Sequence, residues 1–489
     1  MTEPLWTGTE WTFPKIERVY QTIEKLATDE LKLDLYPNQL EIITSEQMVD
    51  AYCSIGMPIF YHHWSFGKHF TAQWTQYQRG MAGLAYEIVI NSSPCIAYLM
   101  EENTMTMQAL TISHAAMGHN TFFKTNYLFR QWTDAEAIID YLVFAKNYIK
   151  KCEVREGSAE VERILDSCHA LMNYGVNRFK RPSKLSAAKE RQREEARDAY
   201  QQSQTNELSE FFKSLQTKTP GEVKKPFPAQ PEENLLYFFE KYAPDLPEWK
   251  REVIRIVRKI AQYFYPQGLT QIGNEGCATY THYRIMNRLH EMGLMTDAAM
   301  LEFLRSHTNV VCQPGFDDEH FSGINPYALG FAMMRDIERI CWEPTDEDRA
   351  QFDFAGCRDE MNVLKDAWAD YRDESFIRQF LSRKVIRDMN LFELRDNRAD
   401  PHYVVTAIHN DRGYDQIRET LADSRERHHW VPQIEVVKVD PETRQLTLQY
   451  KPYLKRPLAH AEKMLKHVQN LWGHGVVLYD DKNTKLAAT

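Results

Sequence analysis

The chain has 489 residues, 43% of them hydrophobic, which is enough for two or three domains with sizeable cores. A formal net charge of −10 argues against the basic face of a general nucleic-acid binder. Residues 1–10 lack the apolar core of a secretory signal, no apolar run approaches membrane-spanning length, and the eight cysteines include no Cys-x-x-Cys pair, so reduced thiols in a cytoplasmic protein are expected.

In chain order, residues 10–33 carry Ile16, Val19, Tyr20, Ile23 and Leu26 at helical spacing, and residues 39–51 read as a second helix with Ser45 as N-cap. Residues 57–70 set His62, His63 and His69 among five aromatics, with Pro58 and Gly67 in the same segment. Two outcomes fit: an aromatic cluster that pins the loop to the body, or a cover over a cleft in which His63 meets a ligand. Residues 85–90 and 95–99 read as short strands joined by the turn Asn91-Ser92-Ser93-Pro94, a hairpin leading into the next helix.

That helix lies in the stretch 99–123. It opens with Glu101 and Glu102, runs through Met105, Leu110, Ile112 and Met117 at helical spacing, and carries His114 and His119. Two histidines on one rigid element, with acids just upstream, suit a metal site. Their five-residue spacing turns them onto different faces of a regular α-helix. A π-bulge adds one residue to the turn and brings them side by side, and Gly118 lowers the cost of that distortion.

Residues 133–150 and 159–174 are expected to be helices, the second bearing His169 as a candidate polar contact to the site. Over 181–233 the composition shifts to a charged helix and then a proline-rich linker, the clearest boundary in the chain. A second motif follows at 274–283. Its Glu275 and His282 are two helical turns apart and project from one face, where both would join His114 and His119 in a three- or four-ligand shell for zinc, or for iron or manganese. His307 and Tyr327 are expected to orient a ligand or a bound oxygen, Tyr327 following Asn325-Pro326 at a helix start.

The two helices resemble those of the zincin metallopeptidases, with two departures. The histidine pair is stretched by one residue, and Ala115 stands where the catalytic glutamate normally follows the first histidine. The general base then falls to Glu101 or Glu102. A di-iron carboxylate site would need paired Glu-x-x-His motifs, and only Glu426 to His429 matches. From about residue 376 to 489 strands and helices alternate as a compact α+β module. The expected fold is therefore α+β: a mainly helical, zincin-like core with a small hairpin or sheet, split between 1–180 and 234–375, plus the C-terminal module.

Several long strings resemble the SpoVR family (stage V sporulation protein R-like, YcgB group). They are Tyr36-Pro37-Asn38-Gln39-Leu40-Glu41, His63-Trp64-Ser65-Phe66-Gly67-Lys68, Ala85-Tyr86-Glu87-Ile88-Val89-Ile90-Asn91, Leu99-Met100-Glu101-Glu102-Asn103-Thr104, His169-Ala170-Leu171-Met172-Asn173-Tyr174-Gly175 and Gly323-Ile324-Asn325-Pro326-Tyr327-Ala328-Leu329-Gly330. The resemblance covers nearly the whole length. It implies a cytoplasmic bacterial protein, tied to spore-cortex formation in spore formers and elsewhere to a stress-response module with a PrkA-type serine kinase and a YeaH-type protein. It carries over no catalytic residues. Two functions follow: a metal-dependent hydrolase, or a catalytically degenerate scaffold that works through such partners, for which Ala115 is the favouring feature.

Overall fold

In the computed structural model of the chain, the described residues are 3–54, 60–78, 87–177, 192, 195–196, 199, 231–316, 318–395, 404–429, 431–452 and 458–489. Helices dominate and the sheets are small, an α+β arrangement. The chain divides into two units, Met1–Tyr148 with Tyr263–His429, and Ile149–Gln262 with Trp430–Thr489. Among the described residues no helix is long and apolar enough to cross a membrane.

The first unit holds a three-stranded sheet of β1 (Asn38–Ile43), β2 (Glu87–Ile90) and β3 (Cys95–Met100) in the order β1-β3-β2. β2 and β3 form the expected antiparallel pair, from Glu87 opposite Leu99 to Ile90 opposite Ile96. β1 corrects the helix expected over 39–51. Its residues pair in parallel with β3, from Asn38 opposite Cys95 to Ile43 opposite Met100, and the helix begins only at Ser45. Thr44, not Ser45, is the N-cap: its side chain accepts from the Gln47 N–H while the Gln47 side chain accepts from the Thr44 N–H. Tertiary pairing thus overrides local propensity in the apolar run Leu40–Ile43.

After β3 the chain enters helix α1 (Met105–Thr111), whose N-cap Thr104 accepts from Met107 N–H. The eight residues Ile112–His119 then continue it as a π-helix, and Asn120–Thr125 return to α-geometry. Every residue from Met105 to Phe123 is buried, so this rod is enclosed all round. Against it lies α2 (Gln271–Glu291), followed by α3 (Asp297–Val310) and α4 (Pro326–Trp342). Small residues allow two close crossings. A Cβ on Gly118 would stand 2.4 Å from Ala278 Cα, and one on Gly330 would stand 2.4 Å from Ile272 O and 2.7 Å from Gly276 Cα. At the start of α2 the buried Asp373 carboxylate accepts the N–H groups of Ile272 (3.0 Å) and Gly273 (2.9 Å).

The boundary expected near residue 375 does not coincide with a unit boundary. Tyr414, Ile417 and Ala422 of helix Asp411–Ser424 share one buried core with Phe376, Ile377 and Phe380, and Arg378 pairs with Glu419 and Asp423. The pair β4 (Glu393–Arg395) and β5 (Val404–Ala407) belongs with them. The second unit carries β6 (Gln433–Val439), β7 (Leu446–Lys451), β8 (Val476–Tyr479) and β9 (Lys485–Ala488) in sequential order, parallel only between β7 and β8. Helix Ala461–Trp472 packs there through Asn470, whose Nδ2 donates to Ser167 Oγ at 2.7 Å. Of the linker expected over 181–233, residues 181–230 lie outside the described residues apart from 192, 195–196 and 199.

Candidate metal centre

The π-helix decides the site. With one extra residue per turn, His114 and His119 stand side by side, their ring centroids 4.7 Å apart. Both are buried. Their Nε2 atoms face two carboxylates. His114 Nε2 lies 3.2 Å from Glu87 Oε1 and 3.8 Å from Glu275 Oε2, and His119 Nε2 lies 4.0 Å and 3.5 Å from the same two oxygens. Glu87, His114 and His119 each offer one ligand atom, all within 4.8 Å of one another, so this group could hold a metal ion. Donors bonded to a tetrahedral zinc at about 2.0–2.1 Å stand roughly 3.3 Å apart, close to the spacings found here. Glu275 Oε2 is also a buried oxygen without a hydrogen-bond partner, as expected of an atom that awaits a cation.

The far side of each imidazole is committed. His119 Nδ1 lies 3.0 Å from Asn274 Oδ1, so its Nδ1–H donates and the Nε2 lone pair is left for a metal. His114 Nδ1 lies 2.8 Å from His282 Nδ1, and His282 Nε2 lies 2.9 Å from His307 Nδ1. If His114 binds through Nε2, it donates from Nδ1 to His282, and His282 donates from Nε2 to His307; one coordination bond fixes three tautomers. Burial lowers the pKa of His114 to about 4, of His307 to about 4, and of His282 well below the usual histidine value, so all three are neutral imidazoles.

The carboxylates differ. Burial and then the Glu275 charge raise Glu87 well above the usual carboxylate range. Burial also works against the Glu275 charge, but His119, His114 and a hydrogen bond from the Tyr327 hydroxyl outweigh it and hold Glu275 below its ordinary value. The Tyr327 ring stacks over His114 with centroids 6.2 Å apart, and its place is set by Asn325, whose Oδ1 accepts from the Tyr327 N–H at 3.0 Å.

All of this opens on a cavity of about 880 Å³, lined also by Tyr52, Val89, Leu110, Thr111, Phe123, Gln267 and Gln271. Burial, Glu87 and Glu275 push the Tyr52 hydroxyl up to about 12.

The sequence-predicted residues thus separate. His114, His119, Glu275 and Tyr327 meet at the cavity. His282 reaches it too, but both its ring nitrogens are engaged by His114 and His307, so it backs a ligand instead of being one. His307 stands behind His282, packed on Phe331 and Phe303. Glu101 and Glu102 are not in the site. They are exposed in the turn after β3, where Glu102 Oε1 accepts from Ser45 N at 3.3 Å. His63 is buried at the start of helix Trp64–Gln78 with Nδ1 2.7 Å from Ser65 Oγ, and does not line the cavity. His169 belongs to the second unit, in helix Ser158–Ala170.

Glu87 was the residue that sequence reasoning passed over. Its signal was present: a lone acid opening the apolar run Ile88-Val89-Ile90, on the same face of the strand as Val89. Asn274 was missed in the same way, as the residue before Glu275.

Comparison with known proteins now bears on the chain. The family described as SpoVR like protein matches residues 10–429, and the SpoVR-like C-terminal domain matches residues 432–483. The chain belongs to the SpoVR-like family. It is 54% identical over 475 residues to the uncharacterized protein YcgB of Escherichia coli (strain K12), covering 96% of this chain and 92% of that one. No solved structure matches it. The candidate centre of this SpoVR-like chain lies wholly within the stretch matched by the longer family description, which ends where the first unit ends, at residue 429.

Proposed function

We propose that this SpoVR-like chain is a metal-dependent enzyme of the hydrolase class, with zinc as the ion and iron or manganese as the alternatives that suit the same donors. The observation that carries this is the convergence of His114 Nε2, His119 Nε2, Glu87 Oε1 and Glu275 Oε2 at 3.2–4.0 Å on the wall of a substrate-sized cavity. A divalent ion held there supplies Lewis acidity. Glu275, kept ionised by the histidines and Tyr327, is the carboxylate ligand beside the two histidines. Glu87, whose carboxyl is held high by burial, is the proton acceptor and later donor. It takes the role that Ala115 leaves open beside His114.

This is a zincin-like logic: two histidines from one helix, a glutamate from a second, and a short strand along the cleft. The family resemblance extends the proposal to a cytoplasmic bacterial protein of the sporulation or stress-response type, linked to cell-wall or spore-cortex material. A second reading rests on Ala115 alone: a catalytically degenerate scaffold that partners a PrkA-type serine kinase and a YeaH-type protein.

Elemental analysis of the purified chain beside the His114→Ala/His119→Ala variant tests the first reading. Near one equivalent of zinc, iron or manganese that vanishes in the variant supports it. A wild-type protein still metal-free after supplementation overturns it. Partner binding that survives loss of both histidines would favour the scaffold.

A further inference from the structure

One polar group in the cavity is unexplained by metal binding. Thr111 is fully buried, its Oγ1 has no hydrogen-bond partner, and its side chain lines the cavity beside His114 and Glu275. A threonine within a helix ordinarily satisfies its hydroxyl on the carbonyl four residues back. Elsewhere in this molecule that is what happens: Thr22, Thr28, Thr125 and Thr308 donate to Arg18, Glu24, Thr121 and Leu304 carbonyls at 2.7–2.9 Å. Even Ser113, two residues away on the same helical rod, donates to Ala109 O at 2.8 Å. Thr111 does not. The unpaired hydroxyls of Thr279 and Thr281 do not line the cavity, so Thr111 alone of the three could be satisfied by a molecule bound in it.

Thr111 stands three residues before His114, one turn along the rod and on the same side. The groups it accompanies in the cavity, the Glu87 and Glu275 carboxylates and the two imidazole Nε2 atoms, are all acceptors or ligands. An oxygen that carries negative charge next to them needs a donor. We propose that Thr111 is a ligand-contacting residue of this site, whose hydroxyl donates a hydrogen bond to an anionic oxygen of the molecule bound in the cavity. This rests on the metal-centre reading. A buried hydroxyl with nothing to bond is destabilising in the empty protein, which is the signature of a group reserved for a ligand.

The test uses the full chain loaded with cobalt(II), whose visible spectrum reports on the metal's surroundings, titrated with acetohydroxamate as an oxyanion probe. Thr111→Val keeps the shape and removes the hydroxyl; Thr111→Ser keeps the hydroxyl. The expected result is full cobalt content in both variants, near wild-type probe affinity in Thr111→Ser, and about tenfold weaker binding in Thr111→Val, the loss of one hydrogen bond to a charged group. The Tm of metal-free Thr111→Val should equal or exceed that of the wild type. Equal probe affinity in Thr111→Val at full cobalt content overturns the role of Thr111 and leaves the metal centre standing. A lower Tm with reduced cobalt content in Thr111→Val makes the residue structural and also overturns it. Failure of the wild type to take up cobalt overturns the metal centre and the Thr111 role together.

Discussion

His282 Nδ1 lies 2.8 Å from His114 Nδ1, so the residue that spacing offers as a ligand is instead the support behind one. A group that orients a metal-bound imidazole is typically worth about 10–100-fold in metal affinity, whereas loss of a ligand from a small donor set abolishes stoichiometric binding. His282→Ala should therefore keep metal at saturating concentration but lose it to a chelator about 10–100-fold more readily. His114→Ala should hold none. Chelator competition followed by elemental analysis separates the two, and equal loss in both variants would return His282 to the ligand set.

Metal uptake should release a proton from Glu87. Its carboxyl is held well above the ordinary 4.5 by burial and by Glu275, so in the metal-free protein it keeps a proton to higher pH than a solvated glutamate. An adjacent cation favours the ionised form, so apparent affinity should rise with pH through the titration of Glu87 and level off above it. His114, lowered to about 4, is already neutral in that range and adds no proton of its own. Calorimetric titration in two buffers of different ionisation enthalpy counts the released proton. Glu87→Gln should abolish the release.

Asp373 ties the start of α2 to the core, and the ligand Glu275 follows two residues after the Gly273 N–H that it accepts. Removing it in Asp373→Ala leaves two buried N–H groups bare and should cost about 1–3 kcal/mol of stability, with weaker metal binding as the helix start loosens. Burial, outweighing those N–H bonds, pushes its carboxyl from 3.8 up to about 6. An acid raised in the folded state gives its stability fully below the unfolded value and loses it as pH rises through the folded one. Between about pH 4 and pH 6 the wild-type Tm should therefore fall relative to Asp373→Asn, compared as slopes.

Gly118 permits the crossing that brings His119 to Glu275. Its Cβ in Gly118→Ala would stand 2.4 Å from Ala278 Cα, a backbone atom that cannot yield like a side-chain tip. The variant should lose about 1–3 kcal/mol or more. It should also bind metal weakly, because the π-helix and α2 must separate. Gly8→Ala, with nothing within 4 Å of the new Cβ, is the control and should stay within about 0.5 kcal/mol of wild type. Thermal melts and metal content together distinguish a displaced site from general unfolding.

Much of this was written in the order of residues. The five-residue gap between His114 and His119 makes sense only if the turn between them is widened, and the chain is π-helical from Ile112 to His119. The Asn325-Pro326 helix start also fell where local chemistry put it. Such features depend on contacts within a few residues, which the sequence carries explicitly.

What failed was everything that needed a third dimension. Glu275 and His282 share a helix face, but two turns also set them about 10 Å apart along the axis, too far for one ion; only the packing of α2 on the π-helix shows which of them faces the cavity. Glu101 and Glu102 are close to the histidines in sequence yet lie past the end of β3 in solvent, whereas Glu87 arrives from 27 residues before His114 because β2 pairs with β3. The sequence by itself determined the family, the helical rod and the histidine pair, because these are local. The tertiary structure alone decided which carboxylates complete the centre, because strand pairing and the glycine-lined crossings of α2 with the π-helix and α4 set distances that residue spacing does not contain.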